Sequence, residues 1–279
     1  MHMITSYVGA LCRRLRQGST VCSPDEFPCF VFAASWRTGS TLLQRVISAS
    51  GEIFIWGEPT FLPELAALYQ KAEGYFQKVA WNRKTGFSDQ VGKWVPVVSP
   101  SEARVRDSVG SFLSALYHQE TLQMGFPRWG FKEVRAKAME HMQLLAAVYP
   151  AAKFIFLVRD PYDMYRSVKG KKFHANFPDP YFPVQVWNDN VRDFLNVSAL
   201  RPTCKLVRYE DLCKISRQEN TLLEEITSYL GIEITEKMYG ELETKTDSSG
   251  TNQQLASAEI AAITRIVSET AGLIGYQIR

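Results

Sequence analysis

The sequence predicts an α/β protein, a three-layer α/β/α arrangement around a central parallel sheet of about five strands. Three observations lead there. Short apolar runs of strand length alternate with longer segments whose apolar residues fall at helical spacing. That alternation is the signature of strand–helix–strand units and hence of a parallel sheet with helices on both faces. A hydrophobic content of 46% over 279 residues permits a substantial core.

The elements follow in order. Residues 1–28 read as an arm that ends in the turn Ser23-Pro24-Asp25-Glu26, and residues 29–279 as one domain, without internal repeat or linker. Cys29 opens the first strand, which continues through Phe30-Val31-Phe32-Ala33-Ala34. A turn, Ser35-Trp36-Arg37-Thr38-Gly39, leads into a helix marked by Leu42, Leu43, Val46 and Ile47. Gly51 ends that helix, since glycine is favoured just past a helix C-terminus. Ile53–Trp56 is the second strand, and Pro59 opens a helical stretch carrying Leu62, Leu65, Ala66 and Tyr69. Residues 74–100 are aromatic and basic and are broken by Gly86, Gly92, Pro96 and Pro100. They read as an irregular insertion, either a lid or ligand-binding loop or a surface loop pinned by its aromatics.

Val105, Val109, Phe112, Leu113 and Leu116 mark an amphipathic helix. Trp129–Val134 is the third strand, Met139–Tyr149 a helix, and Lys153–Val158 the fourth strand. A helix follows Pro161, and then a basic, aromatic and proline-rich loop over 169–183. Phe182, Val186, Trp187, Val191 and Phe194 give another helix, and Lys205–Tyr209 the fifth strand. Two C-terminal helices, Thr221–Leu230 and one carrying Ile260, Ile263, Val267 and Ala271, flank the polar segment Thr244–Gln254.

Composition removes several functional classes. Thirty-two basic against 29 acidic residues leave a net charge of +3, too mild for bulk nucleic-acid binding. The five cysteines, Cys12, Cys22, Cys29, Cys204 and Cys213, form no C-x-x-C pair, so neither a disulfide framework nor a zinc site is expected. Cys29 and Cys204 read as core residues at strand starts. No run approaches the roughly 20 apolar residues that span a bilayer. Arg13, Arg14 and Arg16 follow the apolar part of the first 17 residues, the reverse of a signal peptide. The expectation is a soluble, cytoplasmic protein with reduced thiols and no membrane partner. Of the four histidines, His2 falls in the arm, His118 and His141 in helices and His174 in the 169–183 loop. The sequence carries no signal for an oligomeric state.

The stretch Cys29–Thr41 has the chemistry of an anion site. A strand running through a glycine turn into a helix presents unpaired N–H groups and the positive end of the helix dipole. Arg37 adds a full charge, Thr38, Ser40 and Thr41 add hydroxyls, and Gly39 allows close backbone approach. A triphosphate-cleaving loop would read G-x-x-x-x-G-K-[ST], and here the lysine and the first glycine are both missing. ATP- or GTP-dependent phosphoryl transfer is therefore disfavoured. A second cation, Arg159, sits at the carboxyl end of the fourth strand, the edge where open α/β sheets bind ligands. Its planar fork suits a phosphate, though a salt bridge to Asp160 or another carboxylate is the alternative. Ser167 lies two helical turns further on.

Together these stretches resemble the sulfotransferase family that uses 3′-phosphoadenylyl sulfate. Ser35-Trp36-Arg37-Thr38-Gly39-Ser40-Thr41 is similar to its 5′-phosphosulfate loop. Arg159-Asp160-Pro161 with Ser167 is similar to its 3′-phosphate motif. Trp56-Gly57-Glu58-Pro59, Lys132-Glu133-Val134-Arg135 and Val207-Arg208-Tyr209-Glu210-Asp211-Leu212 resemble weaker signatures of carbohydrate-type members. The pieces appear in family order over roughly residues 29–212. The resemblance implies a P-loop-like sulfotransferase fold. It also implies transfer of a sulfuryl group to a hydroxyl or amine of a small-molecule or carbohydrate acceptor, with 3′-phosphoadenosine 5′-phosphate as product. The expected lack of a membrane anchor departs from the membrane-bound carbohydrate enzymes.

It further implies roles for single residues. Arg37, Thr38, Gly39, Ser40, Thr41 and Leu42 would hold the 5′-phosphosulfate, and Arg159 and Ser167 the 3′-phosphate. By position alone, Ser248, Ser249 and Gly250, with Lys245, belong to a late loop over that phosphate. Lys132 and Arg37 would stabilise charge gathering on the bridging and sulfuryl oxygens in an in-line displacement, by analogy with phosphoryl transfer. No metal-ligand cluster is visible, so side chains are expected to supply that charge. Glu58 is the expected general base, its alternative being an ion pair with Arg37 or Lys132. The histidine that serves the cytosolic branch is replaced by Val134. Glu133 is the fallback base, although strand alternation points it away from Lys132. Arg135 either orients an anionic acceptor or pairs with a carboxylate.

Overall fold

The computed structural model describes residues 27–79, 102–197, 204–244 and 254–279. Its elements are β1 (Cys29–Ala33), α1 (Ser40–Ser48), β2 (Ile53–Trp56), α2 (Leu62–Val79), α3 (Glu102–Leu113), a π-helical turn Ser114–His118 running into α4 (Gln119–Gln123), and β3 (Arg128–Glu133). After these come α5 (Ala138–Val148), β4 (Lys153–Val158), α6 (Pro161–Lys169), a 3₁₀ turn Lys172–Asn176, α7 (Phe182–Asn196) and β5 (Cys204–Arg208). The chain then runs through α8 (Tyr209–Leu212), α9 (Thr221–Leu230), α10 (Glu236–Glu243) and α11 (Ser257–Val267).

The five strands form one parallel sheet in the order β2-β3-β1-β4-β5. The expected three-layer α/β class is what the chain adopts. Alternation along the strands sorts side chains by type. One face is aromatic, with Phe30, Phe32, Trp129, Phe131, Phe154 and Phe156 fully or nearly fully buried. The other is aliphatic, with Val31, Ala33, Ile53, Ile55, Ile155, Leu157 and Val207. Burial of each such side chain contributes about 1.5–3 kcal/mol before conformational entropy is counted. Cys29 and Cys204 are the first residues of β1 and β5 and are buried, as expected. Burial pushes both thiols up to about 12, so neither is a nucleophile at neutral pH.

The strand order matters for function. From β1 the chain goes to one side, to β2, whereas from β3 it jumps across β1 to β4. The crevice at such a reversal, outside the carboxyl ends of the strands, is where ligands bind in open α/β sheets.

Some boundaries differ from the sequence reading. The helix after Pro59 extends to Val79 and so enters the stretch expected to be irregular from residue 74. Its internal glycine, Gly74, costs only about 1 kcal/mol and does not end it. Helices α8 and α10 were not expected. In α10 the apolar pattern is short, with Met238 and Tyr239 the buried pair. The arm over residues 1–26, the insertion from residue 80 and the segment holding Lys245, Ser248, Ser249 and Gly250 lie outside the described residues. Among the described residues, no helix is long and apolar enough to cross a membrane.

Candidate active site

Each of the five strands delivers a residue to one cavity at the sheet's carboxyl edge. The loop after β1 gives Arg37, the segment after β2 gives Glu58, and β3 gives Lys132. Arg159 follows β4 and Tyr209 follows β5. The cavity measures about 400 Å³ and is also lined by Gly39, Ser40, Thr41, Leu42 and Ser167. That is the size range of small-molecule sites.

The β1–α1 loop is shaped to present its backbone. Arg37 has φ 61 and Gly39 φ 94, both in the left-handed region, which is strained for a non-glycine residue. Gly39 is the N-cap of α1 and, having no side chain, makes no cap hydrogen bond. The first N–H groups of the helix, at Ser40 and Thr41, precede its first carbonyl acceptors and point at the cavity end. Thr38 is buried behind the loop, where its hydroxyl donates to Ser35 O at 2.9 Å. What Thr38 can offer a ligand is its backbone N–H.

The two cations expected to hold separate phosphates touch each other's segments. Arg37 Nε donates to Ser167 Oγ at 3.2 Å, and Arg159 Nη1 donates to Arg37 O at 3.0 Å. The alternative of an Arg159–Asp160 ion pair is not formed. Asp160 instead caps α6, accepting from Tyr162 N and Asp163 N at 2.9 Å each, with Pro161 at the first helical position. Burial raises the Asp160 carboxyl above its ordinary value, against those two bonds.

Lys132 Nζ lies 2.5 Å from Glu58 Oε1, so the ion pair foreseen as the alternative for Glu58 is present. The lysine side chain is 11% exposed and the glutamate 32% exposed, which leaves the carboxylate open to the cavity. Alternation turns Glu133 to the opposite face, where it is fully buried. There Glu133 Oε1 accepts from Val134 N, Arg135 N and Arg135 Nε, and Oε2 from Arg135 Nη2. Arg135 thus pairs with a carboxylate, and the bonds to Glu133 raise its guanidinium still higher. Arg135 Nη2 also donates to Pro59 O at 2.6 Å, which ties the Glu58-Pro59 segment to the end of β3. On the other side of Glu58, Trp56 Nε1 donates to Thr121 Oγ1 at 2.9 Å.

Several residues of the site were not singled out from the sequence. Buried Asn190 on α7 donates to Ala34 O and Arg135 O and accepts from Ala138 N, stitching the ends of β1 and β3 together. A polar residue inside the apolar stripe of Val186, Trp187, Val191 and Phe194 was the available signal. Trp36 and Phe173 form an aromatic wall of the cavity, backed by Phe177 at 4.8 Å from Trp36 and 5.9 Å from Phe173. His174 is tied into the same loop by a 2.9 Å hydrogen bond to Pro180 O. Among the described residues, no group of three or more His, Cys, Asp or Glu stands close enough to hold a metal ion.

A model described as the sulfotransferase family matches residues 28–236. Two solved structures are similar in fold. One is the sulfotransferase domain of the olefin synthase of Synechococcus PCC 7002, with 17% identity, a TM-score of 0.54, and coverage of 91% of this chain and 97% of that one. The other is the sulfotransferase domain from the curacin biosynthetic pathway, with 18% identity, a TM-score of 0.55, and coverage of 91% and 99%. No curated protein sequence matches the chain.

Proposed function

The chain belongs to the sulfotransferase family, and from that premise we propose that it moves a sulfuryl group from 3′-phosphoadenylyl sulfate to a hydroxyl or amine of a small acceptor. The observation that carries this reading is the grouping of two cationic anion holders, Arg37 and Arg159, in one cavity with the Glu58–Lys132 pair. A donor with phosphates at both ends of its ribose needs two separate anion sites. The helix α1 amides with Arg37 serve the 5′-phosphosulfate, and Arg159 with Ser167 serves the 3′-phosphate.

In the reaction the acceptor oxygen forms a bond to sulfur as the bond from sulfur to the bridging oxygen breaks. Lys132, paired with Glu58 in the cavity that the loop also lines, stabilises the charge that gathers on the bridging and sulfuryl oxygens. Glu58 takes the acceptor proton. Lys132 then exchanges one oxygen partner for another as the donor enters, and the carboxylate is freed to face the acceptor. Trp36, Val134 and Phe173 give the cavity an apolar part, and on that ground we take the acceptor to be a small molecule with an apolar or aromatic body rather than a highly charged sugar.

Incubation with 3′-phosphoadenylyl [³⁵S]sulfate and a panel of phenols, aliphatic alcohols, amines and oligosaccharides tests the proposal. Label is expected to move to at least one apolar hydroxyl acceptor. Transfer of the γ-phosphoryl group of ATP to the same panel, with none from the sulfated donor, would overturn it.

A further inference from the structure

The segment Arg208-Tyr209-Glu210 has no chemical task in the reaction above, yet it is built around Arg159. The peptide group between Arg159 and Asp160 is held at both ends by side chains from distant elements. Trp187 Nε1 on α7 donates to Arg159 O at 3.0 Å, and Asp160 N donates to Glu210 Oε1 at 2.8 Å. The second oxygen of Glu210 accepts from the Tyr276 hydroxyl at 2.8 Å. Tyr276 is buried, its ring packs on Trp187 at 6.3 Å, and the Arg208 guanidinium lies 4.3 Å from the ring's centre. The contacts therefore close a circuit from Trp187 through the 159–160 peptide, Glu210 and Tyr276 back to Trp187.

The side chain of Arg159 is held as firmly as its backbone. Its guanidinium lies 4.4 Å from the centre of the Tyr209 ring, a cation–π contact. The same ring abuts the other anion site. A methyl group on Gly39 would lie 2.1 Å from Tyr209 Cδ2 and 2.5 Å from Cε2. Tyr209 is thus wedged between the 5′ loop and the 3′ arginine, and together with the 3.0 Å bond from Arg159 Nη1 to Arg37 O it fixes the distance between the two.

We propose that Tyr209, Glu210 and Tyr276 are positioning residues that fix Arg159 at a set separation from the Gly39 loop and so select nucleotides carrying a 3′-phosphate. The inference rests on the reading of Arg159 as the 3′-phosphate holder. An arginine has many rotamers, and one held in place beforehand loses less freedom on binding. The selectivity resides in the contacts that hold Arg159, as well as in its charge.

The test is calorimetric titration of wild type, Tyr276→Phe, Tyr209→Leu, Tyr209→Phe and Arg159→Ala with 3′-phosphoadenosine 5′-phosphate and with 5′-AMP, which differ only by the 3′-phosphate. Tyr276→Phe deletes one hydroxyl and is expected to weaken the bisphosphate about tenfold while 5′-AMP stays within about twofold. Tyr209→Leu is expected to cost more, and Tyr209→Phe, which keeps the ring, to restore the preference. General loosening would weaken both nucleotides alike, and partial unfolding would lower the stoichiometry and leave the affinity ratio intact. An unchanged ratio in Tyr276→Phe and Tyr209→Leu, alongside its loss in Arg159→Ala, would overturn the positioning role and leave the donor reading standing. A wild type with no preference, and no effect of Arg159→Ala, would sink both.

Discussion

Replacing Glu58 with glutamine is expected to lower kcat by about 10²- to 10⁴-fold, the usual contribution of a general base. The amide keeps an oxygen that can accept from Lys132 Nζ, now 2.5 Å from Glu58 Oε1, so the lysine retains a partner. What the variant loses is the ability to take a proton. Affinity for 3′-phosphoadenosine 5′-phosphate is expected to stay near wild type, because the two proposed anion holders, Arg37 and Arg159, are left in place. If Glu58 only holds Lys132, the glutamine oxygen still accepts from the lysine and the loss in kcat is small.

Gly39→Ala is expected to abolish donor binding and to destabilise the protein by about 2–5 kcal/mol, the sum of left-handed strain and overpacking. The backbone there has φ 94, which costs any L-residue with a side chain. The new methyl would also meet the Tyr209 ring at 2.1 Å, and Tyr209 cannot retreat without leaving Arg159. One added carbon therefore disturbs both anion sites. Thermal denaturation reads the stability loss, and nucleotide titration of the folded fraction reads the affinity. A variant that binds the bisphosphate normally would contradict the close packing of Gly39 on Tyr209.

Much of the fold is legible in the chain because its signals are local. The continuous apolar runs beginning at Cys29, Ile53 and Lys153 are strands, and Asp160-Pro161 and Gly51 bound helices as their backbone chemistry requires. The edge of the sheet that carries the site follows from the same signals, since Arg37, Glu58, Lys132 and Arg159 all stand at or just beyond strand ends. Even the turn of Glu133 away from Lys132 follows from alternation. What could not be read is contact across long separations. Arg37 meets Ser167 across 130 residues, and Asn190 reaches Ala34 across 156. No periodicity encodes such pairs. The role of Glu210 is invisible for the same reason, because its partner Tyr276 lies 66 residues further on.

On the proposed reading, Arg159 makes this a site for a 3′-phosphorylated nucleotide. Calorimetric titration of wild type and Arg159→Ala with 3′-phosphoadenosine 5′-phosphate and ADP tests it most directly. Wild type is expected to bind the 3′-phosphorylated nucleotide far more tightly than ADP, and Arg159→Ala to lose about a hundredfold or more of that affinity, the worth of a forked charge-assisted contact. Equal or tighter binding of ADP by wild type, or an unchanged preference in Arg159→Ala, would contradict it.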